Sequence, residues 1–224
     1  MVSHTTVPLP RLQALNGRTM QQALLDTAQA TLHTDADAGP LVAFRDARSN
    51  GDAVSAEAVV ARSLVAALAD HPKLNARVGA GELALHHAVN LGVMVAMEKG
   101  VVVPVIDGAD RLSLRELDQA IRRLTEQAAS GELSLADTRN GTFTLSSFAD
   151  YGVDHFTPIL VGSMVATLGM GRVRAVCEPT TGGRQTGHRI ALSLTFDHRA
   201  IHGVEAARFL QTLADRLASP DALR

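Results

Sequence analysis

Residues 190–209 read IALSLTFDHRAIHGVEAARF, and this stretch joins the two kinds of pattern on which the fold prediction depends. The apolar run IALSLTF predicts a strand, whereas Gly203 begins a helical pattern that continues to residue 218 and ends before Pro220. Asp197, His198 and Arg199 lie between the two patterns. The stretch therefore predicts a strand, a tight turn and a closing helix, with a histidine where the strand ends.

His198 is the first candidate for chemistry. A histidine at a strand end can reach out of a sheet into a cleft, and its imidazole titrates near neutral pH. It can therefore accept a proton from a hydroxyl or a thiol. A purely structural role stays open, because His198 is one of nine histidines. A metal site with His202 is disfavoured, since the turn separates the two side chains and no glutamate follows the first.

Upstream of this stretch, helical and strand patterns are mixed. Residues 1–17, which contain Pro8 and Pro10, predict an irregular arm. Helical spacing predicts helices over 19–33, 55–72 and 113–130. Strand patterns cover 40–47, 82–90, 91–97, 101–106, 141–147, 159–170, 172–179 and 188–196, with a hairpin turn over 180–187. Runs of antiparallel-looking strands with interspersed helices predict an α/β (α+β) two-layer sandwich rather than a doubly wound sheet.

The segment GTFTLSSFADYG, residues 141–152, supplies the second candidate. Strand alternation places Thr144 and Ser146 on one face. A hydroxyl in that position can donate a hydrogen bond to a developing oxyanion. A structural role is equally compatible with the residue types, because Ser and Thr are common in strands and turns. Phe156, Thr157 and Pro158 follow as candidates for lining a substrate site.

The composition argues against several classes of protein function. The chain has 224 residues and a formal net charge of −2, with no long Lys/Arg run, so neither a nucleic acid nor an anionic membrane is the expected partner. The single cysteine, Cys177, excludes an intramolecular disulfide. No leader pattern begins the chain, and Gly, Pro or charge interrupts every apolar stretch before membrane-spanning length. We therefore expect a cytoplasmic protein.

Several colinear segments resemble the chloramphenicol acetyltransferase and dihydrolipoamide acyltransferase superfamily. DHRAIHG, residues 197–203, is similar to its HxxxDG active-site motif, and residues 141–159 are similar to its GTFTISN segment. HPKLNARV at 71–78, the stretch 86–117 and the helical pattern at 17–33 match further family segments in the same order. The resemblance covers most of the chain.

The resemblance implies a chloramphenicol acetyltransferase-like sandwich that assembles as a homotrimer, with active sites between subunits. It assigns His198 as the general base and Ser146 as the hydroxyl donor to the tetrahedral intermediate. Acyl-CoA is the implied co-substrate, with no metal. Residues that bind CoA are left unassigned.

The motif departs from the family at one position, because His202 stands where aspartate or asparagine is usual. In the family that position supports the active-site turn, in some members through an arginine, for which Arg18 is the candidate here. We expect Asp197 and Arg199 to hold the same turn through ion pairs. The altered position leaves open a third reading, in which the chain is an inactive trimeric scaffold.

The length also departs from the family's large members, which carry lipoyl and peripheral-subunit-binding domains. The sequence predicts one acyltransferase catalytic domain over 18–224 without either, and lysine occurs only at Lys73 and Lys99. The preferred reading is a stand-alone enzyme that moves an acyl group, with acetyl expected, from acyl-CoA to a small-molecule hydroxyl. Natural-product biosynthesis, such as tetronate acetylation, is one setting. The alternative is a minimal dihydrolipoamide acyltransferase core that acts on a lipoyl domain in trans.

Overall fold

A computed structural model describes residues 2–48 and 53–220. Five α-helices occur in these ranges: α1 (Arg11–Asp26), α2 (Gly39–Asp46), α3 (Ala56–Asp70), α4 (Leu114–Ser130) and α5 (Gly203–Leu217). None of the described helices is long and apolar enough to cross a membrane.

Ten strands occur in the same ranges: β1 (Gln29–Asp37), β2 (Ala76–Gly79), β3 (Glu82–Leu85), β4 (Leu91–Val93), β5 (Val95–Met97), β6 (Gly100–Val102), β7 (Val105–Ile106), β8 (Phe143–Ser147), β9 (Ala166–Thr180) and β10 (Gly183–Asp197). Six of them form the main sheet in the order β1-β10-β9-β8-β4-β7. β2 pairs with β3, and β5 pairs with β6. Strand β8 is parallel to both of its neighbours, whereas β10 is antiparallel to both β1 and β9.

The two layers meet at one face of the main sheet. Leu168, Leu194 and Phe196 belong to the same buried apolar cluster as residues of α3, α4 and α5. The rings of Phe143 on β8 and Phe209 on α5 lie 6.3 Å apart between their centroids. The predicted α/β two-layer sandwich is therefore confirmed, with the apolar core between sheet and helices.

The opposite face of the sheet carries a buried row of small polar residues. Successive side chains of a strand point to opposite faces, so the row consists of Thr144, Ser146, Thr167, Ser193 and Thr195, all at most 1% exposed. The β1 side chains complete hydrogen bonds along it: the Thr31 and Thr195 hydroxyls are 2.8 Å apart, and His33 Nδ1 is 2.8 Å from Ser193 Oγ.

A loop covers part of this polar face because two glycines leave room for it. A Cβ at Gly169 would lie 2.8 Å from the ring of Phe156, and one at Gly171 would overlap the backbone carbonyl of Asp154. The loop after β8 therefore lies directly on β9, with Phe156 above Gly169.

Helix α4 begins and ends where the sequence predicts, and α3 begins where predicted but ends at Asp70, before the predicted end at 72. Ser55 Oγ accepts a hydrogen bond from Ala58 N at 3.0 Å and caps α3. Ser113 and Glu116 form a reciprocal capping box at the start of α4, and Gly131 ends that helix in the left-handed conformation with φ of 76°.

The helix predicted over 19–33 is wrong in both boundaries. Helix α1 begins at Arg11, directly after Pro10, so the irregular segment is shorter than the predicted arm over 1–17. It ends at Asp26, and residues from Gln29 onward form β1. Pairing with β10 along the whole of β1 satisfies the backbone there and overrides the helical spacing.

The strand predicted over 40–47 is also wrong, because Gly39–Asp46 forms helix α2. Pro40 stands in its first turn, where a missing N–H is harmless, and Leu41 and Phe44 face the core. The strand predicted over 159–170 begins only at Ala166, and residues before it belong to the loop that crosses the polar face.

Candidate active site

The turn between β10 and α5 is built around Asp197. This carboxylate is 1% exposed, and its Oδ1 accepts hydrogen bonds from the backbone amides of Arg199 at 3.0 Å and Ala28 at 3.3 Å. The Asp197 carbonyl accepts from the amides of Ala200 and Ile201, both at 3.0 Å. The turn is therefore fixed by one residue through both its side chain and its backbone.

Arg199 completes the turn with a two-pronged ion pair. Its Nε is 3.0 Å from both carboxylate oxygens of Asp197, and a terminal nitrogen is 2.6 Å from Oδ2. Burial opposes ionisation of Asp197, but the hydrogen bonds from Arg199 and the backbone outweigh it, so the pKa of Asp197 lies below its ordinary value. The carboxylate is thus charged at neutral pH and holds its neighbours in place.

His198 projects from this turn into solvent in the single chain. Its backbone amide donates to Ala28 O at 2.8 Å, which fixes the main chain beside β1. The imidazole lies 5.7 Å from the ring of Phe196 and 5.8 Å from that of His202, measured between centroids. The ring is therefore held at the sheet's end but accessible to a reactant.

His202 occupies the N-cap position of α5. Its backbone amide donates to Glu205 Oε2 at 3.0 Å, and Glu205 also pairs with Lys73 at 2.8 Å. These contacts tie the start of α5 to the segment after α3. The exposed His202 ring is left beside His198.

Ser146 lies in the polar row on β8, with 0% exposure. Its hydroxyl donates to the sulfur of Met94 at 3.4 Å, a weak bond that a better acceptor can displace. Ser146 pairs with Gly169 on β9, the residue above which Phe156 lies. The hydroxyl is thus placed next to the covering loop.

A cavity of about 330 Å³ is lined in part by Met94, the residue whose sulfur accepts the Ser146 hydrogen bond, whereas Ser146 itself does not line it. Met94 and Phe156 belong to its wall, together with residues of α1 and β6. The candidates Phe156, Thr157 and Pro158 all line it. Sequence reasoning missed Met94, Val101 and Val103, because an apolar residue in a strand carries no mark that distinguishes a cavity wall from the core.

His198 and Ser146 are far apart within one chain. Ser146 pairs with Gly169, and Gly169 pairs with Ser193, which precedes His198 by five positions on β10. At about 3.3 Å per residue the two groups are separated by on the order of 15 Å along the strands, in addition to two strand spacings. One chain alone does not bring the predicted base and the predicted hydroxyl donor together.

Arg18 lies exposed on α1, which packs against β6. Within 2–48 and 53–220, no hydrogen bond or ion pair joins it to the turn at 197–202. In the same ranges, no three His, Cys, Asp or Glu side chains are grouped so as to hold a metal ion.

Residues 2–224 match the family model of the 2-oxoacid dehydrogenases acyltransferase catalytic domain. Among curated proteins, the chain is 34% identical to the dihydrolipoyllysine-residue acetyltransferase component of the acetoin cleaving system of Bacillus subtilis. That match covers 97% of this chain and 56% of the relative. The chain spans about half the length of the curated relatives it matches. Others include succinyltransferase components of 2-oxoglutarate dehydrogenase complexes.

Among solved structures, the dihydrolipoamide acetyltransferase of Azotobacter vinelandii superposes with a TM-score of 0.91 at 30% identity, covering 99% of this chain and 94% of that one. That structure was determined to study the role of a serine, a histidine and an asparagine in its catalytic mechanism. Its serine and histidine are separated by as many positions as Ser146 and His198, and its asparagine follows its histidine as His202 follows His198. Chloramphenicol acetyltransferase shares the fold, with a TM-score of 0.61 at 15% identity over 90% of this chain and 94% of that one.

Proposed function

Because the chain belongs to the 2-oxoacid dehydrogenase acyltransferase family, whose catalytic domain it matches, we propose that it transfers an acyl group between CoA and a dihydrolipoyl thiol. The observation that carries the proposal is the placement of His198 and Ser146, at the spacing of the histidine and serine studied in the Azotobacter enzyme. Its curated relatives are dihydrolipoyllysine acyltransferases, so a dihydrolipoyl thiol is preferred over the small-molecule hydroxyl considered from the sequence.

In the proposed reaction, His198 removes the proton from the attacking thiol as its sulfur adds to the thioester carbonyl. The carbonyl oxygen becomes an oxyanion and accepts a hydrogen bond from Ser146, which gives up its weak bond to Met94. The tetrahedral intermediate then expels the other thiolate, which takes the proton back from the imidazolium. No covalent acyl-enzyme is required, because both thiols are held in one site.

The proposal requires a second copy of the chain. Since His198 and Ser146 are on the order of 15 Å apart along the sheet of one chain, we place them in one site by pairing His198 of one subunit with the hydroxyl of its neighbour. Exposure of the His198 ring in the single chain supports this arrangement. A homotrimer is the assembly proposed, with a site at each of its interfaces.

A direct assay tests the proposal. Purified protein with acetyl-CoA and free dihydrolipoamide is expected to form acetyl-dihydrolipoamide, measured as the thioester by chromatography, and to leave small alcohols unacetylated. His198→Ala is expected to lower kcat by roughly 10²–10⁴-fold, the range general-base catalysis contributes.

His87→Ala is the matched control, because His87 is also an exposed histidine and lies outside the turn. Its activity is expected to equal that of the unaltered chain. Full activity of His198→Ala would refute the assigned base. Acetylation of an alcohol but not of dihydrolipoamide would favour the stand-alone enzyme, and a lack of all transfer would favour the inactive scaffold.

A further inference from the structure

The cavity beside Met94 is a place where the transferred acyl group could lie. Its wall includes Met94, whose sulfur accepts the hydrogen bond from the Ser146 hydroxyl at 3.4 Å. Phe156, another wall residue, lies above Gly169, the pairing partner of Ser146. A carbonyl oxygen that replaces the Met94 sulfur as acceptor of the Ser146 hydrogen bond would therefore lie at the wall of this cavity.

The wall of the cavity carries no charge. None of the described residues that line it is Asp, Glu, Lys, Arg or His. Its apolar side chains come from α1, β6 and the loop over the sheet, and include Met20, Val101, Phe148, Phe156 and Ile159. Of its few polar groups, Asn16 Oδ1 already accepts a hydrogen bond from Val101 N at 2.9 Å.

Such a wall discriminates between acyl groups by charge. A carboxylate that leaves water needs an opposite charge or several hydrogen bonds, and its transfer into an apolar site is otherwise strongly unfavourable. An uncharged acyl chain gains from the same transfer in proportion to the apolar area that it buries.

The cavity is also larger than an acetyl group requires. Its volume of about 330 Å³ corresponds to on the order of ten water-sized groups, at about 30 Å³ each. An acetyl methyl group fills a small part of that space. A branched chain of about four or five carbons fills more of it, and buries more apolar surface.

Given the proposed function, on which this inference rests, we infer that the cavity makes the enzyme selective for uncharged acyl groups, accepts branched chains beyond acetyl, and rejects dicarboxylic acyl groups such as succinyl. The family's curated members include both acetyl- and succinyltransferases, so membership alone does not decide between them. The uncharged wall residues of this chain favour the uncharged class.

The test compares kcat/KM for acetyl-CoA, isobutyryl-CoA and succinyl-CoA with dihydrolipoamide as the common acceptor. Isobutyryl transfer is expected within about tenfold of acetyl transfer, and succinyl transfer at least about 100-fold below it, because a hydrophobic pocket tolerates added carbon but not an unpaired charge. Equal or faster transfer of succinyl would overturn the inference. Absence of transfer from all three thioesters would instead refute the proposed function.

Two substitutions in the wall locate the effect. Val101→Phe fills part of the cavity and is expected to lower the ratio of isobutyryl to acetyl transfer by about tenfold or more. Met20→Arg places a cation in the wall and is expected to raise the ratio of succinyl to acetyl transfer by about tenfold. Ratios measured within one variant do not depend on how much protein folds.

Gln21→Arg is the matched control for the added charge, since Gln21 is exposed on α1 and does not line the cavity. It is expected to leave both ratios unchanged. If Val101→Phe and Met20→Arg also left them unchanged, the acyl group would lie elsewhere and the inference would be wrong.

Discussion

Asp197 connects the chemistry of the site to the stability of the fold. It is buried, it accepts hydrogen bonds from two backbone amides, and it pairs with Arg199, whose side chain is half-exposed. Its pKa is lowered in the folded chain. A carboxylate of this kind stabilises the fold above its ordinary pKa of 3.8, and that contribution is lost as the pH falls through the lower folded value.

We therefore expect Asp197→Asn to lower the free energy of unfolding at pH 7 by about 1–3 kcal/mol, since an amide cannot replace a charged acceptor on Arg199. Urea denaturation at pH 7 and at pH 3 measures the effect, and the difference between the two proteins should shrink at the lower pH. Asp107→Asn, at an exposed position, is the control. A difference that stays constant with pH would show that the charge of Asp197 does not contribute.

The pKa of Glu57 is shifted upward, in the opposite direction to that of Asp197. It stands in the first turn of α3, half-buried beside a second cavity of about 340 Å³, with Arg45, Asp150 and Arg172 in the same wall. Burial raises the pKa of Glu57 to about 7, with repulsion from Asp150 and Asp118 adding to it. The folded chain thus holds a proton on Glu57 that the unfolded chain loses near pH 4.5.

Because the raised pKa penalises the ionised form, stability falls as pH rises from 4.5 to about 7 and stays lower above it. Glu57→Gln removes this penalty and is expected to raise the free energy of unfolding at pH 8 by about 1–3 kcal/mol. At pH 4 the two proteins should be equally stable. Chemical denaturation across this pH range measures the effect, and a gain at pH 4 as large as at pH 8 would contradict it.

At the residue scale, the sequence predicts candidate site residues but not how they are arranged. Motifs and polar residue types in the sequence mark four candidates: His198, Ser146, Asp197 and Arg199. The distance between His198 and Ser146 was not predictable, because it depends on the register of three strands. Register is set by pairing over a long separation in sequence, which local patterns do not contain.

At the scale of elements, helices with caps were predicted well. Helix α4 combines amphipathic spacing with Ser113 at its start and Gly131 at its end, so local chemistry and tertiary packing agree. The prediction for residues 29–33 is wrong for the opposite reason. Their spacing is helical, but β10 offers a full set of antiparallel partners, and pairing over long range wins.

The cap of α4 gives a prediction at this scale. Ser113 Oγ accepts from Glu116 N at 3.3 Å and donates to Glu116 Oε2 at 2.7 Å. Ser113→Ala removes both contacts and is expected to lower the free energy of unfolding by about 1 kcal/mol. Urea denaturation measures the loss. Ser113→Asp, which restores a capping oxygen, should recover most of it, and no recovery would show that the hydroxyl acts otherwise than as a cap.

At the scale of the whole molecule, the proposed shared site predicts complementation between two inactive variants. Ser146→Ala and His198→Ala each remove one partner from every site. In a mixed trimer, an interface can still join an intact Ser146 from one chain to an intact His198 from another. Each trimer that contains both variants should hold one restored site, or about a third of its sites, whereas each variant alone stays nearly inactive.

Co-expression of the two variants with different tags, followed by tandem purification, provides the mixed trimers for assay. The control is a chain that carries both substitutions, co-expressed with the unaltered chain. In its mixed trimers only an interface between two unaltered chains keeps both groups, so the expected fraction of active sites can be calculated in the same way. Mixed trimers without recovered activity would contradict a site shared between subunits.

The separation of His198 from Ser146 also has a consequence for a newly synthesised chain. If His198 and Ser146 have the proposed roles, a newly made chain carries both catalytic groups, but the two lie too far apart in that chain to act on the same substrate. Catalysis begins only when chains assemble into an oligomer. Activity therefore depends on the concentration of the protein in the cell as well as on its folding. A single unassembled chain cannot consume acyl-CoA.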